Sequence, residues 1–465
     1  MKKMNNKLKV GIFIDHDIMI RHFIHSRVVK NLMDVHKVDF IFPPKGHKRV
    51  TLNPEKFIKD SAIIRIPVDT KNRTLWGRLI QVMVMRPRFD KESLDLRRTW
   101  RLVTTWKAEL LHTFLGLPLI YYMYKKSIFF ITNRNEIPLN KLLDKKNYDL
   151  LIYPGLPDGL YINDLICESK RLKTPLIYIM NSWDNPSTAP FAAGKPTIFL
   201  AWGQQTANHA NIYQKIPKKN IINFGAAQFE IYKKRPKINR EEFCKIHNIN
   251  PTQKILLYAG GSLGTNEFEH LLLFENAIEK GKFKNLNVVY RPHPWGGGGN
   301  AGDQISSYKW KYIKFESSMT SYLNSLKKKG YHLTFPNYSD THVVLSHVDY
   351  VISPLSTILI EAGIHKKPIM CFLPMEDIQA KHFQTVHNLP HFREFQNADG
   401  VVLASNRREL IEKVNLLIKN SNDPSFKQRI YSTCKYFVAI HKDPYSKRIL
   451  NLAERIVKGD HKCFS

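Results

Sequence analysis

Short runs of apolar and β-branched residues, each about the length of a strand, recur along the chain between longer segments of helical character. Strands separated by helices are typical of βαβ units and of parallel sheets covered by helices on both faces. A helix is predicted over residues 17–35, between the first two strands, and another over residues 159–172. The pattern therefore predicts an α/β protein with doubly wound sheets. The predicted strands are residues 10–14, 38–42, 149–153, 175–180, 197–201, 221–224, 255–258, 286–290, 350–353 and 369–372.

Length and a break in this pattern predict two domains. A chain of 465 residues is too long for one hydrophobic core and suits two domains of about 200 residues each. Residues 233–242, KKRPKINREE, are charged, contain Pro236 and lack apolar periodicity, as expected of a linker. We therefore expect one domain over residues 1–232 and a second over residues 243–442.

The predicted first domain contains a basic helical insertion over residues 71–131. Its helix-like stretches are rich in Arg and Trp, and they include Trp76, Trp100 and Trp106. Basic residues interleaved with tryptophans can rest on an anionic membrane surface, which makes such a surface a candidate partner. A solvated basic face with the tryptophans in the core is the alternative explanation.

The excess of basic over acidic residues limits the classes of partner that the chain is expected to bind. Lys and Arg number 71 against 40 Asp and Glu, and the formal net charge is +31. A field of this sign attracts nucleic acid, anionic membranes and phosphorylated substrates. Because the chain has no basic–aromatic repeat and no RNA-binding signature, a nucleic-acid partner is not expected.

The cysteines and the apolar segments indicate the compartment. Five cysteines, far apart and without C-x-x-C spacing, argue against a disulfide framework or a zinc site and favour a reducing cytoplasm. The N-terminal apolar run is only a strand long and leads into the fold, so a signal peptide is not expected. No segment reaches the ~18 uncharged apolar residues of a membrane span. We expect a cytoplasmic protein that is soluble or peripheral on the inner face of the membrane.

A strand, a hydroxyl-rich loop and a helix predict an anion site in the second domain. The strand at residues 350–353 ends in Ser353, and Ser356 and Thr357 can cap a helix over residues 358–364. Free N–H groups and the helix macrodipole at such a helix start attract phosphate, and the hydroxyls add donors. Glu361 lies one turn further along, within reach of a sugar hydroxyl. Any βαβ unit shows part of this pattern.

Two further loops follow strands of the same domain. Arg291-Pro292-His293-Pro294 forms a stiff turn just past the strand at 286–290, where open α/β sheets bind ligands. The strand at 255–258 leads into a glycine loop that includes Gly261 and Ser262. Glycines there let the backbone approach a phosphate, although a simple turn explains the loop equally well.

These loops resemble the second half of GT-B glycosyltransferases and their glycerophosphotransferase relatives, whose signature pairs an R-x-HP turn with an S-x-x-S-T-x-x-x-E-A loop. The resemblance implies two Rossmann-like domains facing across a cleft, with residues 443–465 forming a helix that packs back on the first domain. It also implies a nucleotide-sugar donor and a glycan or lipid-linked acceptor in bacterial envelope synthesis. The residues that would hold the donor diphosphate and ribose are Arg291, His293, Ser353, Ser356, Thr357 and Glu361.

Three residues of the first domain are candidates for the base that deprotonates the acceptor. Asp15 and His16 follow the first strand, and Asp17 can support them. Asp184 lies in the stretch 181–185, NSWDN, which resembles a run at the end of the first domain of some GT-B-like transferases. Helix capping by Asp15 or Asp17 and loop locking by Asp184 are the alternative roles.

The predicted reaction needs no metal or other cofactor. Helix dipole, Ser and Thr donors, Arg291 and His293 can stabilise the departing diphosphate. No D-x-D pair follows a strand of the second domain, and Asp15-His16-Asp17 suits an acceptor-side base better than a metal site. The expected activity is a metal-independent glycosyltransferase. A glycerophosphotransferase using cytidine nucleotides and a non-hydrolysing UDP-sugar 2-epimerase are the alternatives that share the fold.

Overall fold

The computed structural model describes residues 7–85, 105–188, 192–261, 266–283, 285–294, 302–329, 336–376 and 389–460. The chain divides into two compact units, and each contains one parallel β-sheet flanked by helices. The first unit comprises Met1–Glu230 and Val438–Ser465, and the second comprises Ile231–Phe437. The α/β class with two doubly wound sheets is confirmed.

The first unit is built on a seven-stranded sheet in the order β3-β2-β1-β4-β5-β6-β7, in which all pairs are parallel. Its central strands are buried on both faces, as expected for strands that read as continuous apolar runs. The strands are β1 Lys9–Phe13, β2 Lys37–Phe42, β3 Ile63–Arg65, β4 Leu150–Gly155, β5 Leu176–Met180, β6 Ile198–Ala201 and β7 Ile221–Asn223.

Helices connect and cover these strands. Short 3-10 turns at Pro54–Lys56, Asp60–Ala62 and Lys218–Asn220 complete the connections. The helices are α1 Asp17–Met19, α2 Lys30–Val35, α3 Thr70–Met85, α4 Trp106–Leu115, α5 Pro118–Arg134, α6 Pro138–Lys146, α7 Ile162–Leu172, α8 Asn185–Thr188 and α9 Gln204–Ile212.

The prediction of one helix over residues 17–35 is wrong. The three residues of α1 continue as a π-helix over Ile20–His25, and α2 begins only at Lys30. Arg27 adopts a left-handed backbone with φ of 57°, which interrupts the helical hydrogen bonding between the two parts. The apolar periodicity of this segment spans a helix, a break and a second helix.

The basic insertion is helical in the part that is described. Trp76 on α3 is buried against Phe129 on α5, with ring centroids 5.0 Å apart and nearly perpendicular. Its indole N–H donates to Asp164 on α7 at 2.7 Å. Trp106, in contrast, is 67% exposed, so the two tryptophans have opposite environments. Trp100 lies outside the described residues.

The second unit is built on a six-stranded parallel sheet in the order β10-β9-β8-β11-β12-β13. Register pairs Ile352 with Tyr258, so that β8 and β11 end at the same edge. The strands are β8 Lys254–Ala259, β9 Leu286–Arg291, β10 Ile313–Phe315, β11 Tyr350–Ser353, β12 Ile369–Phe372 and β13 Val402–Ala404.

The helices of the second unit begin where the linker was predicted. A 3-10 segment covers Ala227–Lys233, and the first turn of α10 uses residues 240–242, with Asn239 and Glu242 forming a capping box. The helices are α10 Arg240–His247, α11 Glu267–Glu279, α12 Gly302–Ser307, α13 Ser317–Lys329, α14 Tyr338–His347, α15 Thr357–Ile364, α16 Pro390–Gln396, α17 Leu410–Asn420 and α18 Pro424–Phe437.

The chain ends on the first unit. Helix α19, Tyr445–Val457, buries Tyr445, Ile449 and Ile456 in the hydrophobic core of that unit. Among the described helices, none is both long enough and apolar enough to cross a membrane.

Candidate functional site

The order of the second sheet reverses between β8 and β11, because β8 continues to β9 on one side while β11 continues to β12 on the other. Open parallel sheets bind ligands beyond the carboxyl ends of the strands at such a switch point. Most of the predicted donor residues follow these strands or the neighbouring β9. The candidate site is therefore this edge of the second sheet.

The helix that follows β11 begins with an open N-terminus. Ser356 occupies the cap position with an extended backbone, φ −150° and ψ 149°, but its side chain makes no capping hydrogen bond. The first turn of α15 contains no acidic residue. The N–H groups of a first helical turn lack intrahelical partners, and the macrodipole places positive potential there. The backbone at Ser356 and Thr357 can thus receive an anion.

Ser353 adds a buried hydroxyl just before this turn. The residue is fully buried at the end of β11, and its Oγ has no hydrogen-bond partner among the described residues. A buried hydroxyl without a partner costs free energy, which a bound ligand can recover. The hydroxyl lies three residues before the open helix start.

Glu361 is held by a contact that the sequence did not reveal. Its Oε2 accepts a hydrogen bond from the hydroxyl of Tyr232. The Tyr232 ring packs against His365, with centroids 4.6 Å apart, and His365 donates from Nδ1 to the Glu361 carbonyl oxygen at 2.7 Å. The carboxylate is therefore fixed on α15, one turn from the helix start.

The glycine loop after β8 is shaped by a buried carboxylate. The Gly261 N–H donates to Glu267 Oε1 at 2.8 Å, and the Tyr290 hydroxyl donates to Glu267 Oε2. A Cβ on Gly260 would lie 2.4 Å from Glu267 Oε2, so only glycine fits at that position. The Gly261 N–H is thus bonded to a side chain of the protein itself. Ser262 lies outside the described residues.

Arg291 is used in a buried ion pair. Its guanidinium donates to Glu316 Oε2 at 3.0 Å and to Thr341 Oγ1 at 2.9 Å. Both charged residues are at least 95% buried, and Glu316 also accepts from the N–H of Met319 at the start of α13. In this arrangement the Arg291 guanidinium anchors the turn after β9.

His293 follows Arg291 in that turn and is partly exposed. Burial, followed by the charge of Arg291, lowers its pKa to about 4. The imidazole is therefore neutral near pH 7, and it can contribute hydrogen bonds but no positive charge.

In the first unit, Asp15 follows β1 at the corresponding switch point, between β1 and β4. It is fully buried, and its Oδ2 accepts from the Tyr153 hydroxyl at 3.0 Å and from the Leu160 N–H. Burial raises its pKa, and Oδ1 has no hydrogen-bond partner among the described residues. A Cβ on Gly159 would lie 1.5 Å from the Tyr153 hydroxyl oxygen, so a glycine is required for this packing.

His16 caps α1 through a side-chain nitrogen. Nδ1 accepts from the Ile18 N–H at 3.1 Å, which requires the neutral ring to carry its hydrogen on Nε2. Burial and then the charge of Arg49 lower the His16 pKa to about 4. In this tautomer Nε2 is a donor. The Asp17 carboxylate accepts from the N–H groups of Thr51 and Leu52 at 2.8 and 2.9 Å.

Asp184 is partly exposed in the loop between β5 and α8. Burial of the carboxyl raises its pKa, while hydrogen bonds from the Ser182 hydroxyl and from backbone N–H groups oppose that shift. Its carbonyl oxygen accepts from the Ser187 N–H at 3.1 Å and so starts α8. Trp183 beside it is buried. Asp184 therefore locks the loop through its carboxyl and carbonyl oxygens, while the residue as a whole stays partly exposed.

Comparison with protein-family models and with curated proteins gives no match. Solved structures do match. The UDP-GlcNAc 2-epimerase from Neisseria meningitidis bound to UDP-GlcNAc aligns with a TM-score of 0.53 at 13% identity, covering 96% of this chain and 100% of that one. The S. aureus MnaA–UDP co-structure aligns with a TM-score of 0.53 at 10% identity, covering 97% of each chain.

The chain has a GT-B-type fold. Identities of 10% and 13% establish the fold and nothing about the reaction. Within the described residues, no group of three or more His, Cys, Asp or Glu side chains is arranged to hold a metal ion. Sequence reasoning missed the partners that fix this GT-B site, namely Tyr232, Glu267 and Glu316. Tyr232 and Glu316 lie 129 and 25 residues from the residues they bond, and Glu267 lies 6 residues from Gly261, so no local motif marks these pairs.

Proposed function

We propose that the chain is a glycosyltransferase that moves a sugar from a nucleotide-activated donor to an acceptor hydroxyl. The observation that carries the proposal is the N-terminus of α15, which has no side-chain cap, beside the buried Ser353 hydroxyl, which has no hydrogen-bond partner among the described residues. Backbone N–H groups and hydroxyls there can stabilise the negative charge that develops on a departing diphosphate.

A sugar nucleotide suits this edge for a second reason. Glu361 lies one turn from the helix start, with its carboxylate fixed by Tyr232, and a carboxylate is a good acceptor for ribose hydroxyls. The fold-related Neisseria protein is bound to UDP-GlcNAc, and the S. aureus protein is bound to UDP. Both ligands contain a diphosphate next to a ribose, which is the pair of groups that α15 can receive.

For the acceptor base, the first unit favours Asp184. A general base needs a free lone pair within reach of the acceptor hydroxyl. His16 presents a donor at Nε2, and Asp15 is fully buried. Asp184 is partly exposed and has a raised pKa, so its carboxylate is a stronger base than an ordinary aspartate. We assign Asp15 and His16 to positioning and donor roles on the acceptor side.

The decisive experiment places a carboxylate at the open helix start. A Ser356→Glu side chain should interact favourably with the macrodipole and leave the melting temperature unchanged or raised. The same charge should repel a diphosphate, so UDP or CDP should no longer shift the melting temperature. In the wild-type chain, a nucleotide at a hundred times its dissociation constant should add about 2.7 kcal/mol.

The control is Asn239→Asp, which adds one negative charge at the cap of α10 in the same unit, where the side chain already bonds the Glu242 N–H. This variant should bind nucleotide as the wild type does. Equal nucleotide binding by wild type and Ser356→Glu would remove the helix start from the site. Loss of binding in both variants would indicate a general charge effect.

A sugar-nucleotide 2-epimerase is the second candidate, because one of the matched structures is a UDP-GlcNAc 2-epimerase. An epimerase converts the donor without any acceptor, whereas a transferase needs one. Incubating UDP-GlcNAc with the chain alone and looking for an epimerised product separates the two reactions. A glycerophosphotransferase using CDP-glycerol is distinguished by release of cytidine monophosphate.

We further propose that transfer proceeds without a metal and that the acceptor is a cell-surface glycan or its lipid-linked precursor. The helix dipole and neutral hydrogen-bond donors of α15 and His293 can supply the stabilisation otherwise provided by a cation. Full turnover in the presence of EDTA is the expected result. Complete loss in EDTA, restored by Mg²⁺, would overturn this part of the proposal.

A further inference from the structure

A cavity lies in the first unit, and none of the donor-site or base candidates described above lines it. It has a volume of about 540 Å³ and is bounded by α3, α5, α7, the segment 192–195 and the residues that follow α9. Cavities of several hundred cubic ångströms are large enough for a small molecule or a headgroup.

The lining of this cavity is largely apolar and includes several lysines. Five lysines contribute to it, and none of the described lining residues is acidic. Two of the lysines extend over aromatic rings, with Lys126 Nζ 4.6 Å from the Tyr122 centroid and Lys125 Nζ 5.8 Å from the Phe129 centroid. A cavity with positive charge on several sides focuses its field on an incoming anion. The five are Lys125, Lys126, Lys170, Lys195 and Lys215.

Gln214 provides an independent indication of a ligand. The residue lines the cavity and is only 8% exposed, and its side-chain Nε2 has no hydrogen-bond partner among the described residues. An amide NH₂ group can only donate, so the missing partner is an acceptor such as a phosphate or carboxylate oxygen. The lysines and this amide therefore select the same kind of ligand, an oxyanion.

The rim of the cavity continues into an apolar surface formed by α4 and α5. On α5, Leu119 is 73% exposed, and Tyr122, Met123 and Phe130 on the same helical face are more than half exposed. On α4, the exposed apolar residues are Trp106, Leu110, Leu111 and Phe114. Helices of soluble domains usually direct such a face to the core, and exposed apolar surface of this extent marks an interaction site.

Charge decides which partner suits this surface. Basic side chains flank the apolar face at Lys107 and Arg134, where the Arg134 guanidinium lies 3.9 Å from the Phe130 ring. Apolar residues surrounded by Lys and Arg, with Trp and Tyr near the edge, match the chemistry of an anionic bilayer surface. A protein partner would have to be both apolar and acidic over the same area.

We propose that the helices α4 and α5 lie on an anionic membrane and that the lysine cavity binds the phosphate of an anionic phospholipid headgroup. The exposed apolar side chains enter the interface, and the lysines with the Gln214 amide hold the phosphodiester. The assignment does not depend on the donor site or on the reaction, because every residue involved belongs to the first unit.

The test is co-sedimentation of the full chain with vesicles of phosphatidylglycerol and phosphatidylcholine, and with vesicles of phosphatidylcholine alone. The cavity variant replaces Lys126, Lys170 and Lys215 by Gln, and a matched control replaces Lys145, Lys218 and Lys219, which are exposed elsewhere on the same unit. The cavity variant should lose about tenfold or more of its partition coefficient for anionic vesicles, and the control much less.

Gln214→Leu sharpens the test because it removes the donor and changes no charge. It should weaken binding to anionic vesicles severalfold, with an unchanged melting temperature as evidence that the unit folds. A Leu110→Ser, Leu119→Ser, Met123→Ser variant should reduce membrane binding while leaving the cavity intact.

Equal losses in the cavity and control variants, or an unchanged affinity in Gln214→Leu, would overturn the headgroup site. Binding to pure phosphatidylcholine as strong as to anionic vesicles would overturn the charge argument. Soluble glycerol 3-phosphate that shifts the melting temperature in the absence of vesicle binding would mean that the cavity serves a free phosphate compound.

Discussion

The two sheets share one topology, but the helices that follow their switch-point strands differ in the first turn. In the first unit, α7 follows β4 and has Asp164 in its first turn, where the carboxylate accepts from the Trp76 and Asn72 side chains. In the second unit, α15 follows β11 and begins with Ser356 and Thr357, with no acidic residue in the first turn. The first turn of α7 thus contains an internal carboxylate, whereas the first turn of α15 contains none.

Buried carboxylates elsewhere at these edges support the same distinction. Asp15 binds Tyr153 and Leu160 in the first unit, and Glu267 and Glu316 bind Gly261 and Arg291 in the second. Each carboxylate consumes donors that would otherwise face a ligand. We therefore expect a switch point to bind an anion only where no carboxylate of the protein already occupies the start of the following helix.

The largest expected effect concerns catalysis by the first unit. If that edge supplies the base, Asp184→Asn should lower turnover by about 10²- to 10⁴-fold, the usual contribution of a general base. Nucleotide binding should be retained, because the open helix start belongs to the other unit. Transfer assays and nucleotide thermal shifts on the same preparations provide the measurement.

His16→Ala and Asp15→Asn are assayed beside Asp184→Asn for comparison. The His16→Ala variant loses only the Nε2 donor and the cap of α1, so a smaller decrease in turnover is expected. Asn at position 15 can still accept from Tyr153 and Leu160 through its carbonyl oxygen. If both variants lose more turnover than Asp184→Asn, the base lies at the end of β1 instead.

The next effect concerns stability in the second unit. Arg291→Met leaves Glu316 charged, buried and without its guanidinium partner, which typically costs 3–5 kcal/mol, so we expect about that loss in the free energy of unfolding. Denaturant titration measures it. His293→Ala, two residues away, should leave the free energy of unfolding nearly unchanged and should lower transfer tenfold or more, about 1.4 kcal/mol in the barrier. An Arg291→Met variant that keeps its stability but no longer binds nucleotide would instead indicate that the guanidinium contacts the ligand.

The sequence predicted every described strand except three short ones. Tyr350–Ser353 and Ile369–Phe372 have the predicted bounds, because each is a buried β-branched or apolar run next to a turn. The missed strands, β3, β10 and β13, have three residues each, which is too few for a periodic signal. Strand β7 is equally short, and its prediction rested on the apolar run at residues 221–224.

At the site, residue type alone did not reveal which groups are already bonded. Arg291 and the Gly261 N–H are donors that ordinarily bind phosphate, yet Glu316 and Glu267 occupy them here. These partners lie 25 and 6 residues away, and β9, α11 and α13 bring them together only in the folded unit. Ser356 needs no such partner, and its position before a helix was readable directly. The roles assigned to these residues remain predictions.

The third expected effect is on how the free energy of unfolding of each unit depends on pH. Burial raises the Asp164 pKa to about 6, so the folded state binds more protons than the unfolded state between about pH 4 and 6. Stability of the first unit should therefore fall as pH rises through that window, by up to about 3 kcal/mol. Asp164→Asn should abolish this contribution and should be more stable than wild type at pH 7.

His293 should respond in the opposite sense. Its folded pKa of about 4 lies below the ordinary value of 6.5, so the unfolded state binds more protons between those values. Stability is then lost as pH falls from 6.5 towards 4, by about 1–3 kcal/mol because the ring is partly exposed. The measurement is the free energy of unfolding of His293→Gln relative to wild type at pH 7 and pH 4.5. Parallel pH profiles for wild type and variant would contradict the assignment.

The smallest expected effect distinguishes the diphosphate from the ribose, the two ligand groups proposed to bind at α15. Tyr232→Phe keeps the ring contacts to His342 and His365, whose centroids lie 5.5 and 4.6 Å away, and removes only the hydroxyl that holds Glu361. A carboxylate that loses this donor is less well oriented towards ribose. We expect the dissociation constant for UDP or CDP to rise about tenfold, equivalent to 1.4 kcal/mol.

Pyrophosphate makes this prediction specific, because it carries the diphosphate without the ribose and should bind the Tyr232→Phe chain as it binds the wild type. Tyr436→Phe is the matched control, since that hydroxyl contacts Glu394 on the surface of the same unit at 3.5 Å. Isothermal titration of both ligands with all three chains gives the comparison. Equal weakening of UDP and pyrophosphate would mean that Tyr232 holds the whole start of α15 in place, and the distinction between phosphate and ribose subsites on that helix would then fail.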